Sequence, residues 1–400
     1  MKLTAEEQAM LDGAQGRATQ KAMQILLALG TIYGAEGLIP VSSVQVAGVS
    51  YDNLGEAGLA FLAEMADGGG KAQVLATLNP AGMDIQSWQS LGIPPDFAEK
   101  QLAVINAFER MDIQAACTCT PYLVGNLPGY GEHIAWSESS AVCYANAVLG
   151  ARSNREGGPS ALAAALTGRT PDYGLHRSEN RQPGLSVTVK ACLRENTDFG
   201  ALGKAIGERI QATKAVPYII GVDNASLEQL KSFCASLATY GGAALFHMPG
   251  ITPEANQHQA PAESLTITQA DLEAASRSLS DAAEEEVDFV SLGCPHLTLT
   301  EIARIAKILE GKQVTREFWI TTARPVKQMA DQLGYSRIIT AAGAKIAADT
   351  CCVVAPIKGR FTALAADSAK ACYYAAGKNK FKTLFLPFDE VVKLAVRERR

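Results

Sequence analysis

One pattern restricts the fold of this chain more than any other. A short apolar run ends in a polar or Pro/Gly loop, and a helical stretch follows. The pattern occurs in AQVLATLNPAG, MDIQAACTCTPY, AVPYIIGVDNAS, AALFHMPG, VDFVSLGCPH, REFWITTARP, SRIITAAGA and KTLFLPFDE. Apolar runs without polar alternation, separated by helical segments, read as parallel strands covered on both faces. The expectation is an α/β protein of several subdomains with mainly parallel sheets. Ligands of such sheets lie in the crevice beyond the carboxyl ends of the strands, so the loops after these runs are where chemistry is expected.

A chain of 400 residues is too long for one ordinary core. Apolar residues make up 48% and charged residues 19% of it, the balance of a well-buried globular protein. Its 36 basic and 41 acidic residues leave a net charge of −5, with no basic stripe and interleaved aromatics to suit a nucleic acid. The N-terminus is polar and acidic from its fourth residue, so no secretory signal is expected, and no apolar run reaches the length of a membrane span. The expected location is the cytoplasm, where the nine cysteines, odd in number and irregularly spaced, should be mostly reduced.

Thr4 and Glu7 form a capping box that should start a helix running to about Leu29, weakened at Gly13 and Gly16. The polar stretch near 252–265 is the expected internal linker, separating 1–252 from 266–400; a capped helix should follow it in TITQADLEAASRSL. The terminal RERR is expected to be a solvated end.

Three cysteines share one slot, each in a loop at the end of an apolar run: Cys119 after MDIQAA, Cys294 after VDFVSL and Cys351 after AKIAAD. Thiolates converging from distant loops suit a soft metal or an iron–sulfur cluster. Zinc more often shows close Cys pairs. Any one of these cysteines could equally be a buried core residue, since free cysteine is commonly buried. A thiol nucleophile, Cys119 or Cys294 with His296, is a further reading. Cys143, Cys192, Cys234 and Cys372 have no special setting.

A second constellation, GYGEHIAWSESSAVCYANAVLGARSNREGG, gathers His133, Ser137, Glu138, Asn154 and Arg155 around glycine-rich turns. Ser137 or Ser139 could cap the following helix. Arg155 could hold a carboxylate with two hydrogen bonds. Neither GGG at 68–70 nor NLPGYG at 126–131 fits a nucleotide-binding fingerprint.

Taken together, VSYDNLGEAGLAFL, TLNPAGMD, CTPY, GEHIAWSESSAVCYANAVLGARSNREGGPSALAAALTGRTPDYGLH, SLGCPH and ADTC resemble the large subunit of aconitase X. The resemblance runs from about Val44 to the C-terminus. It implies an aconitase-like large subunit of three α/β subdomains, lacking the swivelling domain, which would come as a separate small subunit. It implies iron, as an iron–sulfur cluster or a mononuclear centre, with Cys119, Cys294 and Cys351 as ligands. It implies a hydro-lyase acting on a small hydroxy acid, with His133, Ser137, Glu138, Asn154 and Arg155 orienting the substrate. The base would be a serine on the small subunit. Of the family's two substrates, the alanine-rich, lysine-poor composition and SNREGG favour cis-3-hydroxy-L-proline over mevalonate 5-phosphate. A non-catalytic subunit sensing iron or redox state is the alternative from another class. The chain departs from the family pattern at Cys143, Ala147 and Ser153, and in ADSAKACYY, where a histidine is expected near Tyr373.

Overall fold

The computed structural model describes residues 1–397. Most of RERR therefore lies outside the described residues. The sheets follow the apolar runs. Strands Leu75–Leu78, Ser43–Val46 and Ala135–Trp136 form a parallel sheet in that order. Strands Pro217–Ile220, Leu185–Val189 and Ser264–Ile267 form a second. A five-stranded parallel sheet has the order Lys345–Ala348, Glu317–Thr322, Phe289–Leu297, Ala363–Ala366, Lys382–Phe385. Leu38–Pro40 pairs antiparallel with Arg169–Pro171. Among the described residues no helix is long and apolar enough to cross a membrane.

The largest sheet shows why its strands carry no polar alternation. Val290, Phe318 and Ile320 face the helices Leu299–Leu309 and Phe388–Val396. Phe289, Trp319 and Leu364 point the other way, into a core completed by Met83, Leu91 and Ala98 from the N-terminal part. Both faces are dry, as a parallel sheet requires. Phe289 and Trp319, both fully buried, meet edge-to-face with ring centroids 5.2 Å apart. Residues far apart in sequence thus share one core, which fixes the N-terminal loops against the C-terminal ones.

Some segments depart from the sequence expectation. The expected long first helix is two, Ala5–Leu11 and Arg17–Ile32. Thr4 closes its capping box as expected, but Gly13 (φ 88°) and Gly16 (φ 95°) take left-handed conformations that a helix cannot carry. SRIITAAGA is a helix, Tyr335–Ala341, between two glycines, and its buried Ser336 and Ile339 lie three apart on one face. AALFHMPG contributes one bridge, His247 to Tyr218, and MDIQAACTCTPY one bridge, Gln114 to Thr77. The stretch 252–265 runs from the His247 loop into Ser264–Ile267, which pairs with Leu185–Val189.

Candidate functional site

The three cysteine loops are drawn together by one histidine. His296 is fully buried at the end of Phe289–Leu297. Its Nε2 donates to the carbonyl of Thr350, 2.9 Å away, which can only accept. Its Nδ1 therefore accepts from the hydroxyl of Thr118 at 2.9 Å. Its backbone N–H donates to the sulfur of Cys119 at 3.2 Å. One residue thus joins loops 118–119, 294–296 and 350–351. Burial lowers its pKa to about 4, so the ring is neutral. With both ring nitrogens engaged, His296 is not placed to act as base for a cysteine nucleophile.

Each sulfur is positioned by a backbone feature. At Gly293 (φ 116°) the chain swings inward; a Cβ there would lie 2.2 Å from the Thr321 carbonyl oxygen. Thr321 Oγ1 bonds the carbonyls of Leu292 and Gly293, holding that bend. Thr118 N–H bonds the Leu78 carbonyl, which docks the Cys119 loop on the first sheet. Asp349, left-handed at φ 67°, turns the chain into Cys351, whose sulfur receives backbone N–H groups of Val353 and Val354. The three thiols influence one another electrostatically: burial, reinforced by Glu138 and Cys351, pushes Cys119 up to about 12, and Cys294 and Cys351 are raised as well. A soft cation would convert these buried thiols to thiolates, and the N–H groups at the sulfurs suit that charged form. The donor set fits iron held by three cysteines.

Beside the thiols lies a buried ion pair. Glu138 and Lys370 are in direct contact, and the other Glu138 oxygen accepts from Asn79 at 2.8 Å. Ser140 donates its hydroxyl to Glu138 at 3.0 Å. Burial alone would raise the Glu138 pKa, but Lys370 outweighs it and holds the carboxyl at about 2. Burial would likewise lower the Lys370 pKa; Glu138 and the nearby Cys294 reverse that and raise it. Lys370 also counters the negative charge that thiolates at Cys119, Cys294 and Cys351 would carry. The helix cap is Glu138, and not Ser137 or Ser139 as the sequence indicated: its carboxylate accepts from Ser140 N–H, and the serine hydroxyls turn elsewhere.

The other expected residues divide. Ser137 sits at the end of Ala135–Trp136, its hydroxyl 3.4 Å from the Gly157 carbonyl. The 153–158 loop runs alongside, with Glu156 N–H on the Trp136 carbonyl. Arg155 projects from that loop, exposed, with no hydrogen bond or ion pair among the described residues. His133 and Asn154 are given other partners. The Nδ1 atoms of His133 and His176 are 3.0 Å apart. Asn154 holds the Tyr173 carbonyl (3.0 Å) and Leu175 N–H (2.8 Å).

Asn79 and Lys370 were missed at the sequence level, as was the joining role of His296. Lys370 stands inside ADSAKACYY, the segment where the family pattern differs, so the signal was present but attached to a missing histidine.

Cys119 beyond the Gln114 bridge, Cys294 inside the strand Phe289–Leu297 and Cys351 after Lys345–Ala348, with a buried ion pair beside them, match the centre that the resemblance to aconitase X implies in an α/β protein. Family models agree along nearly the whole chain: the aconitase X first domain matches residues 1–179, the second 183–277 and the third 287–397. The chain belongs to the aconitase X family, and it is a hydro-lyase large subunit. It is 45% identical over 379 residues to the phosphomevalonate dehydratase large subunit of Methanothermobacter thermautotrophicus, covering 94% of each chain. It is 33% identical to the cis-3-hydroxy-L-proline dehydratase of Pseudomonas aeruginosa, covering all of this chain and 70% of that one. The crystal structure of Thermococcus kodakaraensis aconitase X in its holo-form superposes with a TM-score of 0.92 at 43% identity, covering 99% of this chain and 100% of that one.

Proposed function

We propose that this chain dehydrates mevalonate 5-phosphate, or a closely similar phosphorylated hydroxy acid, together with a separate small subunit, at iron held by Cys119, Cys294 and Cys351. The observation that carries the substrate choice is length together with identity. Four relatives named phosphomevalonate dehydratase large subunit match nearly end to end at 42–45%, and a fifth of that name at 33%. Those named cis-3-hydroxy-L-proline dehydratase are 33–34% identical and extend well beyond this chain. The substrate we propose differs from the one that composition favoured. Length also supports a partner: relatives of this length are named large subunits.

The reaction breaks one C–O bond and one C–H bond, forms a C=C bond and releases water. Bound iron would supply Lewis acidity to the leaving hydroxyl. The chain's own residues do the rest of the holding. Cys119 and Cys351 are fixed by N–H···S contacts and Cys294 by the bend at Gly293. Lys370, held by Glu138, offsets thiolate repulsion. Ser137 and the guanidinium of Arg155 would orient an anionic group of the substrate. His133 and Asn154 shape that loop through the Tyr173–His176 turn. The proton is taken by a group outside this chain, a serine of the small subunit.

The test is anaerobic purification with the small subunit, assay of both substrates, and iron and sulfide analysis of wild type and Cys294→Ala. Mevalonate 5-phosphate should be turned over with kcat/KM at least about tenfold above cis-3-hydroxy-L-proline, and Cys294→Ala should lose iron and turnover. The opposite preference would overturn the substrate; iron retained by the variant would overturn the ligand. Arg155→Ala should raise KM about 10–100-fold, the value of a charge-assisted hydrogen bond; unchanged KM removes Arg155 from the site.

A further inference from the structure

Away from the cysteines, a second set of metal-ligating side chains is gathered in the segment between the helix Leu227–Gly241 and the strand Ser264–Ile267. One ligand atom from each of His247, Glu254 and His258 lies within 4.8 Å of the others. His247 is fully buried, and its Nδ1 has no hydrogen-bond partner. Its Nε2 is 2.8 Å from the Arg181 carbonyl. A carbonyl can only accept, so the proton sits on Nε2 and Nδ1 presents a bare lone pair. His258 repeats the arrangement: Nδ1 lies 3.1 Å from the Gln182 amide oxygen, which leaves Nε2 unprotonated. Glu254 accepts twice from Arg181 Nε, at 3.1 and 2.9 Å, and its carboxylate keeps further lone pairs.

We propose that His247, Glu254 and His258 bind a divalent transition-metal ion of the zinc class, separate from the cysteine centre. Two neutral imidazoles and one carboxylate are a zinc-type donor set that leaves a fourth position for water. The orienting carbonyls on the distal ring nitrogens are the outer shell such sites use. The orphaned Nδ1 is the independent sign: a buried acceptor without a donor is uncommon, and a cation would satisfy it. The adjacent Arg181 charge opposes a second cation. That charge is already balanced by Glu254, and Arg181 is further anchored on Asn146 and the Leu175 carbonyl. The site would clip the 247–258 segment to the 181–182 turn, where Gln257 also reaches Tyr130 at 2.6 Å. Its role would be to hold the 247–258 segment of the second family domain on the turn that leads into that domain.

The test uses the full-length chain, stripped with chelator and titrated with Co²⁺ or Zn²⁺, in the background Cys119→Ser/Cys294→Ser/Cys351→Ser. Expected is one equivalent of Co²⁺ with a visible d–d spectrum and no sulfur charge-transfer band, lost in His258→Ala. Gln182→Leu, which removes only the orienting oxygen, should weaken binding about 10–100-fold. His258 is partly exposed, so its variant should keep the circular dichroism and thermal midpoint of the metal-free parent. If the cysteine background does not fold, the wild-type stoichiometry should still fall by one nitrogen- and oxygen-ligated equivalent in His258→Ala. No uptake by the folded chain, or uptake indifferent to His258→Ala, would overturn the proposal and leave the Nδ1 to an ordinary buried water.

Discussion

At the residue scale, the chemistry of this chain depends on which atoms already have partners. His296 was legible as a residue near a metal or a nucleophile, but its position at the meeting of three loops was not. Nothing in SLGCPH states that Thr118 and Thr350 will meet its two nitrogens. Glu138 shows the opposite case: that a capped helix starts in its stretch was legible, while its own part as the cap and its partner Lys370, distant in sequence, were not. His133 and His176 give a prediction. Burial, with His133 and two arginines nearby, lowers the His176 pKa to about 3. The unfolded chain protonates at about pH 6.5 and so binds the extra proton first. This contribution is therefore constant above that pH and is lost as pH falls below it, by about 2 kcal/mol at pH 5. Urea midpoints should drop on acidification through this window, and His176→Asn should flatten the drop. A wild-type profile as flat as the variant's would contradict the assignment.

At the element scale, the strands of the large sheet were legible because burial on both faces removes polar alternation, as Phe289 and Val290 show from opposite sides. SRIITAAGA failed for the same reason that short apolar runs are ambiguous: length and period do not separate a buried strand from a buried helical turn. The linker expected near 252–265 can be tested directly. Residues 259–264 are mostly exposed and should be nicked first by protease. The two pieces should stay together, because Ser264–Ile267 remains paired with Leu185–Val189; clean separation into 1–252 and 266–400 would show a true boundary there. The bend at Gly293 gives a sharper prediction. Gly293→Ala places a methyl group against backbone at a left-handed φ, so it should destabilise by at least about 2 kcal/mol and loosen Cys294. A variant with unchanged urea midpoint and full iron content would show that the bend can relax freely.

At the scale of the whole molecule, buried charges join parts that are distant in sequence. Arg324, at the start of the helix after strand Glu317–Thr322, reaches Asp84 at 2.7 Å and also contacts Asp349. Lys231 and Glu301 pair at 2.9 Å, with only 2% and 10% of their side chains exposed, between the helices Leu227–Gly241 and Leu299–Leu309. Breaking such a pair strands a charge. Lys231→Met alone should cost about 3–5 kcal/mol, and Lys231→Met/Glu301→Leu should recover most of it. Asp367 nearby has its pKa raised to about 7, by burial and then by Glu301. A double variant no more stable than Lys231→Met would mean that other groups depend on this pair.

Cys119 lies in the first aconitase X domain, and Cys294 and Cys351 lie in the third. A ribosome that has made the first two domains has therefore delivered one proposed ligand of three. On the proposed ligand set, the nascent chain cannot capture iron until its last quarter has emerged. Loading then follows synthesis of the third domain, and a product that ends before Cys351 lacks the full proposed ligand set.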